Sequence, residues 1–182
     1  MYEVRFHGRA GQGILTASRL FAQAAILDGK FAQAFPDFGP ERLGSPVQAF
    51  ARIDNEPIEI RSQIYTPNAV AVFEPRLLGI VPVARGLQPE GQLVVNASDA
   101  SQIKDIAKEA GVAVYIVDAS KIAMDLIKTP TVSTIMLGAL AKTTGTVGTS
   151  ALESAIRQRF HGDVAEANVR MIRSGFEEVH KA

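Results

Sequence analysis

The stretch 7–18, HGRAGQGILTAS, constrains this chain more than any other, because its glycines stand where a short strand pattern gives way to a long helical one. Gly8, Gly11 and Gly13 leave the main chain free of Cβ atoms between the strand expected over residues 2–7 and the helix expected from Ile14. Glycine permits positive φ at such a turn and lets another molecule approach the backbone closely. The first amides of a helix lack partners within it, and together with the macrodipole they attract a phosphate or carboxylate. The loop can therefore hold a phosphate. It can equally be a tight strand-to-helix turn that binds nothing, and the stretch alone leaves both readings open.

Two familiar nucleotide signatures do not fit. The dinucleotide fingerprint runs G-x-G-x-x-G with an acidic residue about twenty positions later. Here the spacing is G-x-x-G-x-G, and residues 31–35, FAQAF, are followed by no acid until Asp37. The Walker loop fails because no Lys-Ser or Lys-Thr pair follows the glycines. A nicotinamide-dependent oxidoreductase is not indicated.

The 182 residues, 47% of them hydrophobic, suffice for one well-buried domain, expected to span 1–182. Basic and acidic residues balance at 19 each without a block of like charge, so nucleic acid and anionic membranes are not expected partners. No cysteine is present, which excludes a disulfide framework, a thiolate zinc site and an iron–sulfur cluster held by this chain. No run approaches the roughly eighteen apolar residues of a membrane span, and the N-terminus has no signal-peptide pattern. A soluble, cytoplasmic chain is expected.

Along the chain, residues 2–7 alternate Tyr2, Val4 and Phe6 against Glu3, Arg5 and His7, the pattern of a half-buried strand. His7 beside the loop reads as a hydrogen-bond cap rather than a catalytic group. Residues 14–28 are apolar almost all round, and Gly29 supplies the stop. Residues 31–46, FAQAFPDFGPERLGSP, show no clear period and read as a long loop. Its prolines and aromatics either pin a connection to the core through Phe35 and Phe38 or present a contact surface, with Arg42 reaching a carboxylate or phosphate. The contact surface is favoured, formed by Phe35, Pro36, Phe38, Glu41 and Pro46.

Residues 47–53 and 57–61, separated by Asp54-Asn55, predict a β-hairpin. Strands follow at 69–73, 92–96 and 112–117, with a short helical segment near 76–81 and a helix over 101–110. Helices over 131–143, 150–160 and 163–179 complete the chain. The sum is an α/β fold: a layered α/β/α domain with a mixed sheet and a helical C-terminal third. No G-x-S-x-G elbow or HExxH spacing occurs, and His7, His161 and His180 lie in unrelated contexts. A self-contained catalytic site is hard to assemble from these parts.

Four separate motifs, in order, resemble the gamma subunit of the 2-oxoacid:acceptor oxidoreductases of the pyruvate:ferredoxin type. They are Arg5-Phe6-His7-Gly8-Arg9-Ala10-Gly11-Gln12-Gly13; Ala34-Phe35-Pro36 with Gly39, Glu41-Arg42 and Gly44-Ser45-Pro46-Val47; Ile60-Arg61-Ser62-Gln63-Ile64-Tyr65; and Met136-Leu137-Gly138-Ala139. Ala10 stands where the family commonly has a third glycine, and Leu43 where it commonly has arginine. The resemblance implies a chain without catalytic residues of its own, in a complex that oxidises a 2-oxo acid, pyruvate by default, to its acyl-CoA and passes electrons to ferredoxin or another acceptor. Aryl-glyoxylates and branched-chain 2-oxo acids are the alternatives. It implies partner alpha and beta subunits carrying thiamine diphosphate and magnesium, and a ferredoxin-like delta subunit, with 4Fe-4S clusters on the partners. This chain would help hold coenzyme A through Gly8, Arg9, Gly11, Gln12 and Gly13, with Arg42, Arg61 and Ser62 as second candidates. A purely structural docking subunit and a free-standing nucleotide binder are the competing classes.

Overall fold

The computed structural model describes residues 1–37, 43–101, 103, 106 and 111–182. Its frame is a seven-stranded mixed sheet: β1 (Tyr2–Arg9), β2 (Phe31–Pro36), β3 (Pro46–Asp54), β4 (Ala69–Val72), β5 (Gln92–Asn96), β6 (Ala113–Val117) and β7 (His180–Lys181). The spatial order is β2-β3-β1-β4-β5-β6-β7. β1, β4, β5 and β6 run parallel, and β2, β3 and β7 are antiparallel to their neighbours. This bears out the α/β reading with a mixed sheet.

Among the described residues five helices pack on one face: α1 (Ile14–Leu27), α2 (Ala119–Ile127), α3 (Ser133–Thr144), α4 (Thr149–Arg159) and α5 (Gly162–Glu178). α1 is buried through Ile14, Ala17, Leu20, Phe21, Ala24 and Ala25, because it lies between the sheet and α4. α3 is buried along Thr134–Ala141 and is gripped by α5, since glycines let the two backbones meet. A Cβ on Gly138 would lie 1.9 Å from the Ile172 carbonyl oxygen, and one on Gly175 1.9 Å from that of Ile135. On the other face a smaller apolar cluster joins Val70, Val72, Leu93, Val95 and Ile116 to Leu77 and Val83, with a 3₁₀ turn over Pro75–Gly79. Among the described residues no helix is long and apolar enough to cross a membrane.

Several expectations change. Residues 31–36 form strand β2 rather than a loop. The hairpin is absent: 57–61 form no strand, because β1 and β2 already occupy both edges of β3. That segment is tied down by side chains instead. Arg52, 1% exposed, bonds Glu3 Oε1 at 2.7 Å and donates to the carbonyls of Ile60, Ser62 and Gln63, while Gln33 donates to that of Ile58. α2, capped by Asp118, and the short β7 were not anticipated, and most of the helix expected over 101–110 falls outside the described residues.

β1 is not half-buried, because β3 and β4 flank it and both of its faces are covered. Val4 and Phe6 face the helices. Arg5 and His7 are buried on the other side, where Arg5 donates to the carbonyls of Val83 at 2.8 Å and Arg85 at 2.6 Å and to His7 Nε2 at 3.0 Å. Burial first, and the adjacent Arg5 charge second, push the His7 pKa from 6.5 to about 3. His7 is thus a neutral hydrogen-bond acceptor within the sheet.

Two predictions follow from this packing. Gly138→Ala forces α3 from α5 and destabilises the fold by about 3 kcal/mol, read as a shift in the denaturant midpoint. For His7, the unfolded chain takes up a proton near pH 6.5 that the folded chain refuses until about pH 3. Stability is therefore complete above pH 6.5 and falls as the pH drops through that window, by about 1.4 kcal/mol per pH unit at most. His7→Gln should flatten that slope in unfolding measured from pH 7 to pH 4.

Candidate functional site

The glycine stretch closes the carboxyl end of β1 and starts α1. Gly8 is buried beneath the first helical residue, since a Cβ there would lie 2.2 Å from Ile14 Cδ1. Gly11 at φ 97° and Gly13 at φ 74° take left-handed conformations that favour glycine, and Gly13 is the N-cap of α1. Residues 44 and 45 fasten the turn: Ala10 N–H donates to the Ser45 carbonyl at 2.9 Å, Gly44 N–H to that of Ala10 at 3.3 Å, and Arg9 Nη1 to that of Gly44 at 2.9 Å.

Beside the turn lies an open groove of about 680 Å³. Arg9, Ala10, Gly11, Gly13 and the first turn of α1 (Ile14, Leu15, Thr16) line one side, and Pro36, Val47 and Gln48 the other. No side chain caps α1, so its first amides and the positive end of its dipole remain at the groove. The start of α3 packs against the N-cap of α1: a Cβ on Gly13 would lie 3.7 Å from Ser133 Oγ. The sequence contained no signal for this convergence, since Gly13 and Ser133 meet only through the packing of α3. The arrangement suits an anion with an extended apolar part; among the described residues no group of three or more His, Cys, Asp or Glu could hold a metal ion.

The structure gathers some of the expected site residues and separates others. Gly11, Gly13 and Arg9 meet at the groove, with Gly8 as their support. Gln12 turns inward: Oε1 accepts from Arg9 N–H at 2.8 Å and Nε2 donates to Glu74 Oε2 at 3.2 Å. Both ends of its amide are engaged within the protein. Glu74, absent from the sequence reading, has no relation to the glycine spacing and reaches the loop only because β4 lies beside β1.

Arg61 and Ser62 are exposed and, among the described residues, do not line the groove. The Ser62 carbonyl is on Arg52, on the sheet face opposite α1, because Ala51 and Ile53 face the helices and Arg52 alternates with them. Phe35 is half-buried against Phe50, ring centroids 5.3 Å apart, with the Arg52 guanidinium 5.1 Å from its ring. Pro36 forms part of the groove wall, and Pro46 is exposed opposite Arg9 in the β1–β3 ladder. Phe38, Glu41 and Arg42 lie outside the described residues.

The chain is 46% identical over 179 residues to the pyruvate/ketoisovalerate oxidoreductases common subunit gamma of Pyrococcus furiosus, covering 98% of this chain and 97% of the relative. It is 44% identical to pyruvate synthase subunit PorC of Methanothermobacter thermautotrophicus, covering 100% and 97%. Among solved structures, the pyruvate oxidoreductase subunit PORC of Thermotoga maritima superposes with a TM-score of 0.86 at 38% identity, covering 100% and 98%. The sequence pattern described as pyruvate ferredoxin/flavodoxin oxidoreductase matches residues 3–178. The chain therefore belongs to the pyruvate ferredoxin/flavodoxin oxidoreductase family.

Proposed function

We propose that this chain is the gamma subunit of a multi-subunit 2-oxoacid oxidoreductase, and that its groove receives the phosphate end of coenzyme A. The observation carrying this reading is the meeting of the α1 N-terminus, which has no side-chain cap, with the left-handed Gly11 and Gly13 and with Arg9 at an open groove of about 680 Å³. Unsatisfied amides and dipole ends attract phosphate, and a guanidinium with five donors keeps capacity for one after its single bond to Gly44. Leu15 and Val47 offer apolar surface beside the polar end, where the pantetheine arm would run.

Within the complex, thiamine diphosphate would supply the decarboxylation chemistry and iron–sulfur clusters would take the electrons. Neither is assigned to this chain: it has no cysteine to ligate a cluster, and its own residues bind and orient the acyl acceptor. The partners are thiamine-binding alpha and beta subunits and a ferredoxin-like delta subunit, in the cytoplasm. Leu43, 92% exposed at the rim of the loop, offers apolar surface to one of them. Selection of the 2-oxo acid belongs to the partners. A relative described as common to pyruvate and ketoisovalerate oxidoreductases serves two side chains with one gamma subunit, which supports that division. Pyruvate is the default substrate.

A second reading, a docking subunit without ligand contacts, draws on the internal engagement of Gln12 and Arg9. One kinetic experiment separates the two. In the assembled complex, Arg9→Ala should raise the KM for coenzyme A by about tenfold and leave the KM for the 2-oxo acid unchanged. Unchanged coenzyme A dependence with weakened assembly would favour docking.

A further inference from the structure

Glu74 follows β4 at the point where the sheet changes direction. From β1 the chain passes through α1 to β2 on one side, while β4 leads to β5 and β6 on the other. In open sheets of this kind, ligands bind in the crevice outside the carboxyl ends of the strands at the switch point. Phe73 N–H donates to the His7 carbonyl at 2.8 Å and holds the end of β4 against β1. The Glu74 carboxylate spans the crevice from there, with Oε2 on Gln12 Nε2 at 3.2 Å and Oε1 on Arg76 N–H at 3.3 Å.

We infer that Glu74 is the positioning residue of the glycine loop: through Gln12 it sets the Arg9 backbone and hence the coenzyme A groove. The inference rests on the coenzyme A reading above. The Arg9 N–H can only donate and the oxygen at position 74 accepts, so together they fix which end of the Gln12 amide faces each. The NH2 must turn to Glu74, which leaves the carbonyl oxygen for Arg9 N–H at 2.8 Å. That oxygen also lies 3.1 Å from where a Cβ on Gly8 would stand, so Gly8 leaves room for the brace. Remove the acceptor at position 74, and the Gln12 amide loses the bond that holds its NH2 end and is free to swing away from the Arg9 N–H. The Arg9 amide then loses its acceptor, and the turn carrying the Arg9 guanidinium, Gly11 and Gly13 loses its fixed shape. The role depends on an acceptor at position 74 and does not depend on its charge.

The test uses the assembled complex carrying Glu74→Ala, Glu74→Gln, Gln12→Ala, Arg9→Ala and the Glu74→Ala/Gln12→Ala pair. Two readouts are taken: steady-state kinetics in coenzyme A and in the 2-oxo acid, and amide hydrogen exchange in the peptide containing Arg9. For Glu74→Ala and Gln12→Ala alike, exchange at Arg9 should speed up by about tenfold and the KM for coenzyme A should rise by about tenfold. The pair should do no worse than either single change, since both break one brace. Glu74→Gln retains an acceptor and should stay within about twofold of the unaltered complex in both readouts. Additive effects, Glu74→Gln as damaging as Glu74→Ala, or unaltered Arg9 exchange in Glu74→Ala would each overturn the brace. A normal coenzyme A KM in Glu74→Ala, while Arg9→Ala raises it, would overturn the positioning role. Faster exchange with a normal coenzyme A KM in both Glu74→Ala and Arg9→Ala would support the brace and discard the coenzyme A reading.

Discussion

The contact on which the rest of this structure depends is that between Gly8 and Ile14. With no Cβ on Gly8, the first residue of α1 can lie directly on the last part of β1. The turn between them is then short enough to need left-handed glycines at 11 and 13. The start of α1 is thereby held at the sheet edge, and the helix lies across β2 and β3 with Phe21 against Phe6 at 6.1 Å between ring centroids. The same economy of side chain recurs between α3 and α5, where Gly138 and Gly175 bring two backbones together. That contact seats α3, and a seated α3 brings Ser133 against Gly13. The site and the core therefore share one cause, close backbone approach at glycine.

The opposite face of the sheet follows a different rule. Over β1, β3 and β2 no helix among the described residues covers the strands; Arg5 and Arg52 are buried there and gather carbonyls from segments without regular structure. A buried guanidinium is tolerated when its donors are satisfied, and each of these has backbone acceptors to hand. They convert an irregular backbone, whose carbonyls would otherwise be left without donors, into a defined layer. Such a layer can follow the contour of a neighbouring chain more freely than a helix can, which suits a protein whose relatives work as subunits.

Period and punctuation made most elements legible beforehand. Strands β4, β5 and β6 announce themselves as short β-branched runs between prolines or glycines, and α3 to α5 as stripes of Ile, Leu, Met and Val. The false hairpin at 57–61 alternates as a strand should. Alternation, however, reports which side chains can be buried and not whether a sheet edge is free. β2 was hidden for the complementary reason, since FAQAFP between a lysine and an aspartate lacks the β-branched residues that mark a strand, and its pairing with β3 creates it. At the site, the glycine loop was legible from spacing, while Arg9 and Gln12 came with the family motif, Gln12 without the inward role its two bonds give it.

By itself, then, the sequence determined the alternation of strands and helices, the glycine loop at a helix start, the absence of cysteine chemistry and the family motifs. All of these are local or compositional properties. Tertiary structure alone decided which edges of β3 are occupied, that His7 is neutral, that Arg52 replaces a strand, and that Glu74 and Ser133 stand beside a loop 62 and 120 residues distant from Gln12 and Gly13 in the chain. The physical reason is that these depend on who lies next to whom across the sheet. Neighbourhood of that kind is set by the packing of α1 and α3 on the strands, and no window along the chain contains it.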